Sequence, residues 1–415
     1  MIIPSIDLMD GKAVQLRQGA EKVLEVTDPH RLAAQFNRYG ESAVIDLDAA
    51  LGQGDNRALI AELLALADCR VGGGIRTVAQ AREWIALGAK KVIIGSLAFA
   101  NDQINHAFLS ELSAAISPQR LILAIDARDG EIVTQGWRHR TGLPVVETVA
   151  ALEPYAGEFL FTAVEREGMM AGVDHAAIER VRRATSRKLT AAGGITTLQE
   201  VAALAARDVD VQVGMALYTG ALDLTEAFIA GLNWKHDLLP TIVQDEAGDV
   251  LMLAYSNRDS LRATFAQGEM VYFSRSRQQL WHKGATSGHR QRLLRMRVDC
   301  DRDTILATVA QQGVACHTGQ YSCFGDPPFS FDALYRVVDE RLTHAPAGSY
   351  TATLRDEAQL AAKLMEEAQE VVDARTDEEI IWEAADLLYF LTVRLAKAGL
   401  SFDQVARELH RRRWQ

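Results

Sequence analysis

With 415 residues, 48% apolar and 24% charged side chains, the chain is long enough for several hydrophobic cores, and roughly one domain per 150 residues gives about two or three domains. A net charge of -11 argues against a nucleic-acid binder, which depends on neutralising phosphates, and no window approaches the roughly 18 uncharged apolar residues of a membrane span. Met1-Ile2-Ile3-Pro4-Ser5-Ile6-Asp7 lacks a basic stretch, so no signal peptide is expected, and four cysteines are too few for a disulfide framework; a reducing cytoplasm fits.

The first half of the chain repeats itself. Ile6-Asp7-Leu8-Met9-Asp10-Gly11 returns as Ile125-Asp126-Ala127-Arg128-Asp129-Gly130, a spacing of 119 from Asp7 to Asp126; Gly73-Gly74-Ile75 recurs as Gly193-Gly194-Ile195 at 120, and Gly95 is answered by Gly214 at 119. Short β-rich runs, among them residues 43–47, 91–94, 121–125, 189–191 and 209–213, alternate with helix-like stretches. That alternation predicts parallel pairing, and two similar halves make one (βα)8 barrel. Asp7 and Asp126 then end the first strand of each half and face each other across the mouth, placed to act as general base and general acid. The glycine-rich turns leave main-chain N–H groups free for phosphate oxygens. Gly72-Gly73-Gly74-Ile75-Arg76 with Gly95-Ser96 forms one such set, and Gly193-Gly194 with Gly214 the other, so a substrate with a phosphate at each end is expected.

On these motifs, residues 1–231 resemble the ProFAR isomerase family of histidine biosynthesis. The resemblance implies an Amadori rearrangement of a bisphosphorylated aminoaldose, with Asp7 taking the C2′ proton, Asp126 assisting ribose opening and Trp137 stacking on the substrate ring. Gly74, Arg76, Gly95, Ser96, Gly193, Gly194 and Gly214 fall to phosphate binding. Two positions depart from the family pattern. Thr162-Ala163-Val164-Glu165-Arg166-Glu167-Gly168 has Ala163 where an acidic residue is usual, although Glu167 keeps its charge, and Met215 stands where Arg or Lys is common. Weakened phosphate affinity or rate is one expectation, and an altered barrel activity stays open.

After Leu232-Asn233-Trp234 the repeat stops and a new β-rich pattern begins, which sets a boundary near residue 232. Asp299-Cys300-Asp301-Arg302-Asp303 is followed by Cys316-His317 and Cys323. As a strand, the first of these would line Asp299, Asp301 and Asp303 on one side and turn Cys300 to the other, separating hard oxygen ligands for magnesium from soft sulfur for zinc. Upstream, Arg275, Arg277, Trp281, Lys283, Ser287 and His289 suit a phosphorylated nucleotide-like ligand. Together these motifs make residues 232–330 resemble phosphoribosyl-AMP cyclohydrolase, a small mainly-β (α+β) fold. By that resemblance Cys300, Cys316 and Cys323 bind zinc across a homodimer interface, Asp299, Asp301 and Asp303 bind magnesium, and His317 transfers a proton while the purine ring opens.

From Phe331 the pattern turns helical. Lys363, Glu366, Glu367 and Glu370 share one helix face, and Glu383 and Asp386 share another; crowded carboxylates repel unless a cation such as magnesium bridges them. Ala384, Ala385, Leu387 and Leu388 suggest that Glu383 and Asp386 lie in a core-like helix. Residues 331–415 resemble the all-α, MazG-like pyrophosphohydrolases, specifically phosphoribosyl-ATP pyrophosphohydrolase, with Lys363 contacting phosphate. The three resemblances imply consecutive steps of histidine biosynthesis acting on small phosphoribosyl nucleotides, without nucleic acid or membrane partners. The alternative is a bifunctional hydrolase whose barrel is non-catalytic or isomerises a different phosphoribosyl substrate.

Overall fold

The computed structural model describes residues 1–415 apart from 18, 20, 326–328, 346–347, 355 and 413–415, and apart from the side chains of 403, 407 and 410–412. It divides into two compact units, Met1–Phe324 and a second from Gly325 onward. In the first, eight strands close into a parallel barrel: β1 (Ile2–Met9), β2 (Ser42–Asp46), β3 (Cys69–Gly72), β4 (Lys91–Ile94), β5 (Leu121–Arg128), β6 (Glu158–Ala163), β7 (Lys188–Ala192) and β8 (Val209–Val213). Each strand pairs with the next, and β8 returns to β1 with Ile2 opposite Val211. The strands are short aliphatic runs because helices cover one face and the barrel interior fills the other.

The sequence repeat is a structural one. Thr77 caps helix Val78–Ala86 and Thr197 caps helix Leu198–Ala205, each accepting an N–H from the third helical residue. β1 and β5 both run on into antiparallel arms, Lys12–Arg17 with Glu21–Val26 and Glu131–Thr134 with His139–Pro144. Gly73 and Gly193 share a left-handed φ, 93° and 92°. A Cβ at Gly73 would lie 2.2 Å from the Asp46 carbonyl, so the loop after β3 closes against the end of β2 only with glycine there.

Low in the barrel, Arg70 of β3 pairs with Glu158 of β6, both fully buried, and Lys91 reaches Glu158 at 2.8 Å. Burial alone would raise the Glu158 carboxyl, but Arg70 and Lys91 outweigh it and hold it down at about 2. Above them Ile93, Ile122, Leu160 and Ala192 form an apolar layer. That plug leaves the C-terminal ends of the strands as the open face.

The barrel's last helix, Leu224–Ala230, is followed by a second sheet of β9 (Leu239–Gln244), β10 (Val250–Ser256), β11 (Gln291–Val298) and β12 (Ile305–Gln311) in the order β10-β9-β12-β11. The architecture therefore changes where the repeat stops. The two parts are nevertheless packed as one. Phe265, from helix Arg258–Gln267, stacks on Tyr39 with ring centroids 4.1 Å apart and meets Phe228 edge-on at 5.3 Å, and a single apolar core continues from the barrel into the sheet.

One expectation is overturned here. Residues 299–303 are not a strand but the turn between β11 and β12. Asp299 Oδ1 accepts the main-chain N–H of Asp303 at 3.1 Å and of Thr304 at 3.2 Å, and Arg302 adopts φ 63°. A short carboxylate that captures the N–H groups ahead of it folds the chain back, and alternation between faces no longer applies.

The second unit contains helices Phe331–Thr343, Glu357–Asp373, Asp377–Lys397 and Phe402–Arg412; the first three are joined through Val338, Leu354, Leu360, Phe390, Val393 and Ala396, and Phe402 of the last meets Phe331 with ring centroids 5.0 Å apart. Helix Asp377–Lys397 becomes core-like only from Phe390; around Glu383 it is half-exposed, with Ile381 and Trp382 each 70% exposed. Among the described residues no helix is long and apolar enough to cross a membrane.

Candidate active sites

At the barrel mouth, β1 and β5 stand four strands apart in a ring of eight, which sets Asp7 and Asp126 on opposite sides. Ser5 Oγ donates to Asp7 Oδ1 at 2.6 Å, and Trp137 Nε1 donates to Asp126 Oδ2 at 2.9 Å. Burial pushes Asp7 up to about 6 and raises Asp126, the latter opposed by hydrogen bonds from Trp137 and Thr162. Glu167, on the loop after β6, completes the group: burial and then the nearby Asp7 and Asp126 charges lift it to about 7. Ala163 is buried at the end of β6, so Glu167 supplies the charge that strand position lacks. Carboxyls held near neutrality can exchange protons with a substrate at physiological pH.

The two glycine sets flank this mouth. Gly95 leads into the turn Ser96–Ala98, where Ser96 Oγ accepts the Gln135 N–H at 3.0 Å. Arg76 is exposed and bonds the Ala49 carbonyl at 3.2 Å. Gly194 lies against Gly172, whose N–H donates to the Gly194 carbonyl at 3.1 Å. Gly214 opens the short helix Met215–Tyr218, with Met215 buried. Gln15 is buried beside Gly214 with Nε2 lacking a hydrogen-bond partner. No motif pointed to Gln15; only the fold of the first arm brings it there.

The sheet region gathers two of its three thiols. Cys316 and Cys323 are near enough to shift each other's thiols; the Thr318 hydroxyl, 3.0 Å from Cys316 Sγ, chiefly lowers the Cys316 thiol, while burial and Cys316 raise Cys323. Lys283, almost fully buried, donates to the Ala315 carbonyl at 2.7 Å, and burial lowers its ammonium against the pull of Cys323 and Cys316. His317 Nδ1 is 4.0 Å from Cys316 Sγ. Trp281 lies under Lys283 and Arg277, at 5.7 and 5.9 Å from its ring centre, while Arg275 caps Tyr255 at 3.8 Å. Ser287 Oγ accepts the His289 N–H at 3.3 Å, and the His289 ring fills the space over Gly313. Cys300, exposed on the turn, stays apart from the other two.

Among the described residues two carboxylate groups are close enough to hold a cation. Asp299, Asp301 and Asp303 have oxygens within 4.8 Å of one another, as do Glu367, Glu383 and Asp386. Lys235 sits on the first group, 3.4 Å from Asp301 and 2.6 Å from Asp303, a contact from the connector that no motif announced. In the second, burial and then Lys363 act in opposite senses on Glu367, leaving its carboxyl raised, and burial followed by Glu370 and Asp386 raises Glu383. Glu366 pairs instead with Lys363 at 2.9 Å. The chemistry of each donor set fits the metal expected of it, thiols for zinc and carboxylates for magnesium.

Residues 1–223 match the family model described as histidine biosynthesis protein. The chain belongs to that family. Residues 252–325 match phosphoribosyl-AMP cyclohydrolase, and 331–413 match phosphoribosyl-ATP pyrophosphohydrolase. The chain is similar to the phosphoribosyl imidazole-4-carboxamide isomerase of Methanocaldococcus jannaschii, 36% identical over 234 residues, 55% of this chain and 97% of the relative. Its other half is similar to the histidine biosynthesis bifunctional protein HisIE of Gloeobacter violaceus, 46% identical over 193 residues, 43% of this chain and 88% of the relative. A histidine biosynthesis trifunctional protein of Kluyveromyces lactis is 42% identical over 191 residues, 45% of this chain and 24% of the relative.

Proposed function

We propose that one chain carries three consecutive enzymes of histidine biosynthesis. The helical unit hydrolyses phosphoribosyl-ATP to phosphoribosyl-AMP and pyrophosphate, the sheet region opens the purine ring to give ProFAR, and the barrel isomerises ProFAR. The observation that carries this is the coincidence, in each matched segment, of the family match with a gathered set of titratable groups. A barrel that is non-catalytic, or that works on another phosphoribosyl substrate, is not favoured, because the isomerase relative matches along nearly its whole length.

In the barrel, Asp7 is the base for the C2′ proton and Asp126 the acid that protonates the ribose ring oxygen as the ring opens. Asp7, at about 6, is mostly ionised at neutral pH, while the Trp137 N–H fixes the orientation of Asp126. The glycine loops and Gln15 hold the two phosphates, and Glu167 keeps the pocket's proton balance near neutrality. In the sheet region Cys316 and Cys323 would hold zinc, with Cys300 from a second copy completing the set. This is the reading that favours a homodimer, and it rests on Cys300 being exposed and apart. Asp299, Asp301 and Asp303 would hold magnesium, as would Glu367, Glu383 and Asp386 in the helical unit. When bound, zinc supplies Lewis acidity toward water and magnesium neutralises phosphate charge. Four free thiols suit a reducing cytoplasm.

Purified protein supplied with phosphoribosyl-ATP, magnesium and zinc tests the whole reading. The aminoketose product should appear with pyrophosphate, and accumulation of ProFAR without it would remove the barrel assignment. Asp126→Asn should block the last step alone, and loss of pyrophosphate release in that variant would contradict separate sites. Metal analysis of the protein as purified checks the zinc.

A further inference from the structure

The turn that carries Asp299, Asp301 and Asp303 is fastened to the barrel by one of its own residues. Arg302 lies between two of these aspartates with φ 63°, a left-handed conformation that glycine adopts freely and arginine does not. Its side chain is 8% exposed and runs into the barrel, where the guanidinium donates to the Ala205 carbonyl at 2.6 Å, to Asp210 Oδ1 at 2.9 Å and to Asp208 Oδ1 at 3.3 Å. Asp210, on β8, is itself buried and also receives Lys188 of β7 at 2.9 Å and the Met1 main-chain amine. Behind the turn, the Arg302 carbonyl accepts the Asn233 N–H at 2.9 Å and Asn233 Nδ2 donates to the Asp301 carbonyl at 3.1 Å.

Three carboxylates within 4.8 Å repel one another, and a free surface turn would relieve that by splaying. Here the main chain beneath them is gripped from the barrel side by a charged fork in a buried setting, where such bonds are strong and directional. We propose that Arg302 is a positioning residue of the middle active site: it locks the acidic turn onto β8 and the end of the helix before it, so that the barrel forms part of the support for the cyclohydrolase's divalent-cation site. This rests on the reading of the three aspartates as a cation site. The isomerase barrel then has a second role in the chain, as the rigid base on which its neighbour's ligands are set.

The test uses the full chain with Mn2+ as the probe, its binding at this turn defined as the component removed by Asp301→Asn. Arg302→Gly accepts the left-handed backbone but adds main-chain freedom, so Arg302→Asn, which also tolerates that conformation, is measured beside it, and a change common to both belongs to the lost guanidinium. Mn2+ affinity at the turn should fall by about tenfold, and exchange of the Asp303 and Thr304 amides, which donate to Asp299, should speed up; Arg302→Lys should restore part of both. Lowered thermal stability with unchanged Mn2+ affinity and unchanged exchange of those two amides would make Arg302 a purely structural contact and overturn the proposal. If the unaltered protein shows no Mn2+ component sensitive to Asp301→Asn, the cation reading fails separately. The two amides then decide the tether by themselves, and wild-type exchange in Arg302→Gly overturns it.

Discussion

Asp7, Asp126 and Glu167 are carboxyls placed where ionisation is penalised. The folded protein therefore binds their protons more tightly than the unfolded chain does. For a carboxyl raised in this way, the stabilising contribution is fully present below its unfolded value, near 3.8 for Asp7, and is lost as pH rises through about 6. Asp7→Asn should thus make the protein more stable at pH 7.5, by about 3 kcal/mol at most, with the difference vanishing near pH 3; thermal unfolding at the two pH values measures it. The same substitution should slow isomerisation by about 100- to 10,000-fold and leave pyrophosphate release unchanged. For the unaltered barrel, kcat/KM of isomerisation should climb with pH through about 6 as Asp7 ionises. A flat profile from pH 5 to 7.5 would exclude Asp7 as the base.

At the scale of elements, the turn between β11 and β12 and the long acidic helices show two ways of managing crowded carboxylates. The turn is partly neutralised by Lys235, which lies 2.6 Å from Asp303. That ammonium competes with any divalent cation, so Lys235→Ala should tighten Mn2+ binding there by a few-fold at low salt. Titrations at rising ionic strength should show the gain shrink; weaker binding in the variant would mean that the lysine organises the site. In helix Glu357–Asp373 the buried Glu367 has its carboxyl raised by burial. Glu367→Gln should preserve helix content by circular dichroism while reducing pyrophosphate release on the order of 100-fold. The barrel's elements were legible in sequence because its glycine loops and strand-end aspartates are set by local backbone demands, which recur with the repeat. The acidic turn was misread as a strand because alternation presupposes extended backbone, and the left-handed φ of Arg302 leaves no mark in a string of Asp residues. Lys235 and Gln15 were missed for a different reason, since their roles are created by contacts that only the folded chain makes. Ala384, Ala385, Leu387 and Leu388 show the same limit in reverse, an apolar run that reads as core yet is exposed or half-exposed.

At the scale of the whole molecule, the change of sequence pattern near residue 232 marks a change of fold, yet the energetics of residues 1–324 do not divide there. Phe265 of the sheet region is buried against Tyr39 and Phe228 of the barrel, and the contact is reinforced by Arg262 on Glu226 at 2.6 Å, Arg295 on Asp68 and Arg302 on Asp210. The helical unit has its own core. Packing of this kind couples unfolding, because exposing the apolar side of either partner strips the other of its cover. Phe265→Ala, at a cost of about 3–5 kcal/mol, should therefore lower the thermal inactivation midpoints of isomerisation and ring opening together. Pyrophosphate release should keep its midpoint, since Glu367, Glu383 and Asp386 belong to the separate unit. The decisive reading is the isomerase, whose proposed catalytic groups, Asp7 and Asp126, lie toward the C-terminal ends of β1 and β5 while Phe265 packs on helices outside them. If its midpoint stays at the wild-type value while that of ring opening falls, the barrel is an independent cooperative unit. A joint fall means instead that fusion has made one folding unit out of two enzymes, and that a substitution outside the barrel segment sets the temperature at which its chemistry is lost.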